Sequence, residues 1–238
     1  MKINLLIPCF VDQLFPSVGI SVVRIFEKLG HTVDFKQNIL CCGQPAFNAG
    51  FWDESREIAV RAIEALGGDD PVVVPSGSCA AMVKNFYTDL FRSTPHADAA
   101  IQISKRTFEF SSFLVDQLHV TEVGSRFPAT VTFHDGCHGL RELQVKRQPR
   151  LLLGNVKDLR LVEMEDQTSC CGFGGTFCVK FPMISTAMGE SKLASALETE
   201  AEYLVSNDSS CLMHLQGLLN RQKKILKTIH LAEVLASV

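Results

Sequence analysis

No run in this sequence reaches the roughly 18 to 20 consecutive apolar residues that a membrane-spanning helix needs. Any membrane contact is therefore expected to come through a partner. Basic residues are not in excess either: 23 Lys and Arg against 26 Asp and Glu leave a formal net charge of −3, spread along the chain. That excludes the electrostatic footprint of a nucleic-acid binder. The N-terminal stretch MKINLLIPCFVD has a short apolar run broken by Pro8 and lacks the small-residue cleavage pattern of a secretory signal, so a cytoplasmic chain is expected. Low-complexity segments are missing, and Gly172-Phe173-Gly174-Gly175 does not have the spacing of a nucleotide loop.

What the sequence does have is nine cysteines. In a reducing compartment so many thiols point to metal binding or thiol chemistry rather than to structural disulfides. The chain, 46% hydrophobic over 238 residues, is long enough to bury a core around them.

Short β-rich runs alternate with amphipathic stretches, the signature of an α/β chain built of βα units around a mostly parallel sheet. Strands are expected at Ile3 to Pro8, Thr32 to Phe35, Pro71 to Pro75, Ala129 to His134, Leu161 to Met164 and Tyr203 to Ser206. A helix is expected over Phe15 to Leu29, closed by Gly30, and another over Asp53 to Leu66, with Asp53 as its cap and Ile58, Ala62, Ile63, Ala65 and Leu66 on its apolar side. Trp52 reads as core.

The cysteines repeat. Cys9 follows a strand, Cys41-Cys42-Gly43 comes 31 residues later, and Cys79 follows after 35 more. Cys137, Cys170-Cys171-Gly172 and Cys211 repeat the layout with gaps of 32 and 38. Each half closes on a similar amphipathic segment, from Thr107 and from Thr228, and the polar stretch Thr121 to Pro128 separates them. Two pseudo-symmetric lobes are expected, 1–122 and 123–238, each a small mostly parallel sheet flanked by helices, with the cysteine edges facing a shared cleft.

Four thiols at the carboxyl edge of a parallel sheet would suit a tetrahedral zinc ion or a four-iron cluster. Structural zinc sites usually present C-x₂₋₄-C knuckles, which this chain lacks. Adjacent cysteines project in divergent directions, which suits a cluster with several separated irons. Gly43 and Gly172 let the backbone approach it and donate N–H groups. A cysteine can also be a small core hydrophobe. That is the reading for Cys178, which has no counterpart in the first half. His134-Asp135-Gly136-Cys137-His138 reads equally as a relay or hydrogen-bonding element beside a cluster and as a strand-end cap.

The two quartets resemble the duplicated CCG cysteine-rich domain, found in the cysteine-rich subunit of heterodisulfide reductase and the iron–sulfur subunit of glycolate oxidase. The stretches IPCFVDQLFP, CCGQPAFNAG, FHDGCHGLRELQ and CCGFGGTF are similar to the lactate utilization protein A group. The resemblance implies an iron–sulfur electron-transfer subunit of a complex that oxidises L-lactate to pyruvate, with one cluster per half, [4Fe–4S] in type. It also implies partner subunits, one of them a ferredoxin-type iron–sulfur protein. This chain departs from the heterodisulfide reductase pattern, in which the motif ends C-x-x-C, by reading Ser76-Gly77-Ser78-Cys79 and Asp208-Ser209-Ser210-Cys211. One thiol is missing per half. Two alternatives stay open, a zinc-binding structural or assembly subunit and a heterodisulfide reductase-like thiol–disulfide subunit. No catalytic residue can be named from the sequence.

Overall fold

The structure is a computed structural model and describes residues 1–36, 39 and 41–238. Its described residues form an α/β chain with two four-stranded sheets, each wholly parallel and flanked by helices. In the first, β1 (Lys2–Leu5), β2 (Thr32–Phe35), β3 (Val72–Val74) and β4 (Thr107–Glu109) lie in the order β2-β1-β3-β4. In the second, β5 (Thr130–His134), β6 (Arg160–Leu161), β7 (Tyr203–Ser206) and β8 (Lys227–His230) repeat that order as β6-β5-β7-β8. The order reverses between β1 and β3 and between β5 and β7. Such switch points open a crevice at the carboxyl ends of the strands, where parallel sheets take their ligands.

The sheets are buried on both faces, as parallel sheets must be, but the two faces meet different cores. Ile3 and Leu5 of β1, Val73 of β3, Val131 and Phe133 of β5 and Val205 of β7 all point into one central core. The helix Pro16–Lys28 supplies Val18, Val22, Ile25 and Phe26 to it, and the segments Phe110 to Val115 and Leu231 to Leu235 complete it. On the other faces, Val72 and Val74 pack in a core private to the first lobe, and Leu204 in one private to the second. Strict alternation along each strand thus divides its side chains between a shared and a private core. The lobes are joined by the first of these.

Several expectations change. The segments from Thr107 and Thr228 are not helices throughout: each opens as a strand, β4 or β8, and turns into a helix at once, with Glu109 and His230 capping through their side chains. The strand expected over Leu161 to Met164 ends at Leu161, because Glu163 turns out to reach Arg150. Helix Trp52–Ala65 starts before Asp53, which pairs with Arg56 instead of capping. Trp52 is 45% exposed and stacks on Phe47 at 5.2 Å, so it is not core, and Ile58 also faces outward. A short helix, Cys9–Leu14, precedes Pro16–Lys28. No helix among the described residues is long and apolar enough to cross a membrane.

Candidate metal centre

Each quartet is assembled from three places at the carboxyl edge of its sheet. Cys9 begins the helix after β1, and Cys79 lies in the first turn of the helix Gly77–Ala81 after β3. Cys41 and Cys42 come from the loop beyond β2. Cys137 and Cys211 take the corresponding places after β5 and β7, and Cys170 and Cys171 those beyond β6. All nine cysteines are free thiols, and the eight of the two quartets line one cavity of about 110 Å³. Cys178 stands outside it, half-buried, with its thiol donating to the Gly175 carbonyl at 3.0 Å, and it takes no place in the buried core.

The adjacent cysteines touch each other and also reach different partners. Cys41 lies 3.9 Å from Cys9, while Cys42 lies 3.3 Å from Cys79. In the second lobe Cys170 neighbours Cys137, and Cys171 neighbours Cys211. Hydrogen bonds from Cys42 and Cys9, helped by the Gly43 N–H, pull the Cys41 thiol down toward the thiolate. Cys137, Cys171 and the Gly172 N–H do the same for Cys170. Cys9, Cys42, Cys137 and Cys171 are pushed up, first by those same thiol contacts. A metal bound by these sulfurs would favour the thiolate form of each.

Gly43 and Gly172 both sit at positive φ, +86° and +87°, which aims their N–H groups back at Cys41 and Cys170 at 3.4 Å. A Cβ on Gly172 would stand 2.4 Å from the Ser185 carbonyl oxygen, and one on Gly43 would stand 2.9 Å from the Ser55 hydroxyl.

The two sets meet because the lobes touch here. Gly77 packs directly on Gly139: a Cβ on the former would come within 2.8 Å of the latter's Cα. Phe10 and Phe173 meet edge to face at 5.5 Å across the mouth. Between the sets, Ser76 and Ser78 donate their hydroxyls to Asp208 Oδ1 at 2.6 and 2.9 Å, and the Ser78 N–H adds a third bond at 3.3 Å. Ser76 and Asp208 are the two positions where a C-x-x-C ending would have placed its extra thiols. Here they clasp one lobe to the other. The sequence identifies them as missing thiols but carries no signal of this pairing, which spans 132 residues.

The first set has buried hydroxyls for company, with Tyr87 donating to the Cys42 carbonyl at 3.0 Å, and the second has ionisable groups. His134, fully buried at the end of β5, has its ring within 4.8 Å of the Cys171 and Cys211 sulfurs, and burial lowers its pKa to about 3. Asp135 does not cap a helix; it accepts a bidentate pair from Arg150 at 2.8 and 2.9 Å. His138 bonds Glu142 through Nδ1 at 2.9 Å and lines the cavity beside Cys137. Lys192, also fully buried, donates to the carbonyls of Asp166 and Gln167, in the loop that delivers Cys170.

Fold and site together define a twice-repeated parallel α/β protein whose two cysteine sets meet in one cleft. The family model described as CCG, cysteine-rich domain, matches residues 3–84 and again 131–216, and the chain belongs to that family. Relatives named lactate utilization protein A align over its full length. The one from Bacillus pumilus is 42% identical over 238 residues, covering all of both chains. That from Oceanobacillus iheyensis is 42% identical over 236 residues, 99% of this chain and 96% of its own. Likeness to an aspartate racemase homologue from Pyrococcus horikoshii, with a TM-score of 0.33 at 11% identity over 99% of this chain and 95% of that one, is too slight to argue from.

Proposed function

We propose that this protein is an iron–sulfur electron-transfer subunit acting in L-lactate oxidation in the cytoplasm, with one [4Fe–4S] cluster in each half, 1–122 and 123–238. The observation that carries the reading is the placement of two matching four-thiol sets at the switch points of two parallel sheets, opening on one cavity. Cys9, Cys41, Cys42 and Cys79 would hold one cluster, and Cys137, Cys170, Cys171 and Cys211 the other. Such a cluster supplies one-electron transfer at a potential set by its ligands and their hydrogen bonds. The Gly43 and Gly172 N–H groups favour the thiolate form of Cys41 and Cys170, and the flanking private cores keep water from Cys42 and Cys171. Lactate enters through the names of the full-length relatives. The chain lacks a ferredoxin-type cysteine run, so electrons would pass through a partner subunit that has one.

A second reading, a zinc-bearing structural or assembly subunit, is favoured by one feature: His134, Cys171 and Cys211 form a compact three-donor group sized for a single ion. Iron, acid-labile sulfide and zinc content of anaerobically purified protein separates the two. Iron with equimolar sulfide and a brown preparation support the cluster reading. A colourless protein with stoichiometric zinc, or growth on lactate that is unchanged by deleting the gene, overturns it.

A further inference from the structure

Both ring nitrogens of His134 are buried without a hydrogen-bond partner among the described residues. Burying such nitrogens unpaired costs about 1–3 kcal/mol each, a cost that a core position easily avoids by being apolar. The first lobe avoids it: Leu6, three residues before Cys9 as His134 is three before Cys137, packs against Cys42 and Cys79. Against Cys171 and Cys211 the second lobe instead sets an imidazole, a ligand that suits iron and zinc alike. The ring is fixed by its strand. Its backbone lies in register with Ser206 on β7, whose hydroxyl donates to the His134 carbonyl at 2.9 Å. No carboxylate or carbonyl among the described residues competes for the side chain.

Building on the cluster-bearing reading, we propose that His134 is a metal donor, so that the second centre has mixed thiolate and imidazole ligation while the first has thiolate alone. A neutral nitrogen in place of a thiolate leaves a centre with less negative charge, and imidazole ligation raises the reduction potential of iron–sulfur centres. The two centres are therefore unequal, the second being the easier to reduce.

The test uses the full chain, purified anaerobically with ¹⁵N-labelled histidine, and its His134→Leu and His134→Cys variants; the first variant copies the other lobe. Metal content is measured first, then nitrogen hyperfine coupling by pulsed electron paramagnetic resonance of the reduced protein, then the two potentials. Strong ¹⁵N coupling in the unsubstituted protein, lost in His134→Leu together with the higher of two potentials while iron in the first site persists, is the expected result. Should both centres load with no nitrogen coupling, or with only the weak coupling of a hydrogen bond, the ligand assignment falls and the cluster reading stands. Zinc in place of iron overturns the cluster reading instead. X-ray absorption then decides the histidine assignment: a nitrogen in the zinc shell that disappears in His134→Leu upholds it, and an all-sulfur shell ends it. Because all seven histidines carry the label, a variant makes the assignment; should His134→Leu fail to fold, loss of the ¹⁵N coupling in His134→Cys upholds it and persistence of the coupling overturns it.

Discussion

The two lobes share their strand order and their four-thiol layout, and differ in what stands behind the thiols. In the first, Leu6 and Ala62 share the core of Cys42 and Cys79, and Ile7 turns to the central core; at the corresponding places the second has His134, Lys192 and Asp135, all buried. The correspondence of Ala62 with Lys192 follows from Ser55 and Ser185, which back Gly43 and Gly172 and precede them by seven residues in each helix. A parallel sheet with a switch point is enough to gather four thiols. The buried His134, Asp135 and Lys192 stand in one half alone, and they are where the halves can act differently.

That comparison breaks most visibly at Arg150. Its removal strands the buried Asp135 carboxylate, so Arg150→Ala is expected to cost about 3–5 kcal/mol in urea unfolding. Replacing both partners, Arg150→Met with Asp135→Ile, restores the apolar character of the first lobe at that point and should recover most of the loss. A double variant as unstable as the single one would show that the ion pair is not the reason.

The lobes should also answer pH with opposite signs at Glu109 and His230, which close β4 and β8 and cap the helices that follow. Burial raises Glu109 from 4.5 to about 7, so the native state holds a proton that the unfolded chain releases. Its contribution is full below pH 4.5 and declines by about 3 kcal/mol as pH rises through about 7. His230 is lowered by burial; there the unfolded chain binds the extra proton, and stability is lost as pH falls below about 6.5. Glu109→Gln should remove the decline between pH 4.5 and about 7, and His230→Asn the loss below about 6.5. The same slope in either variant as in the parent would remove the assignment.

Smaller effects separate the two CCG turns. A methyl at Gly172 meets a backbone oxygen at 2.4 Å, whereas at Gly43 the nearest atom is a rotatable hydroxyl. Gly172→Ala is thus expected to cost about 3 kcal/mol and Gly43→Ala about 1–2, both including the positive-φ strain. Equal costs by thermal unfolding would mean that the turns are equally tight. Smallest of all is Asp208→Asn, about 1 kcal/mol: Oδ1 remains to accept from Ser76 and Ser78, and only the charge is lost.

The repeat, the sheet type and the convergence of eight thiols were legible in the sequence because all three depend on local signals: spacing, alternation and strand ends. β4 and β8 escaped notice since each is a few residues long and passes directly into a helix, so neither period persists. Trp52 misled because a large aromatic beside an apolar helix stripe looks like core, while its actual partner is the half-buried Phe47. The polar shell was invisible for a different reason. Asp135 lies 15 residues from Arg150, and Asp208 lies 132 from Ser76, so no local pattern connects either pair. His134 stood out as part of a cysteine-flanking stretch, yet only the packing shows that its ring lies behind Cys171 and Cys211 while His138 lines the cavity and bonds Glu142.

The most direct test of two four-thiol centres is the iron and sulfide content of anaerobically purified Cys42→Ser and Cys171→Ser proteins against the parent. If each lobe holds its own cluster, each substitution removes about half of both elements and the double variant removes nearly all. Loss of all iron from either single substitution would mean one centre shared between the lobes, and iron unchanged in both would mean that these thiols do not hold it.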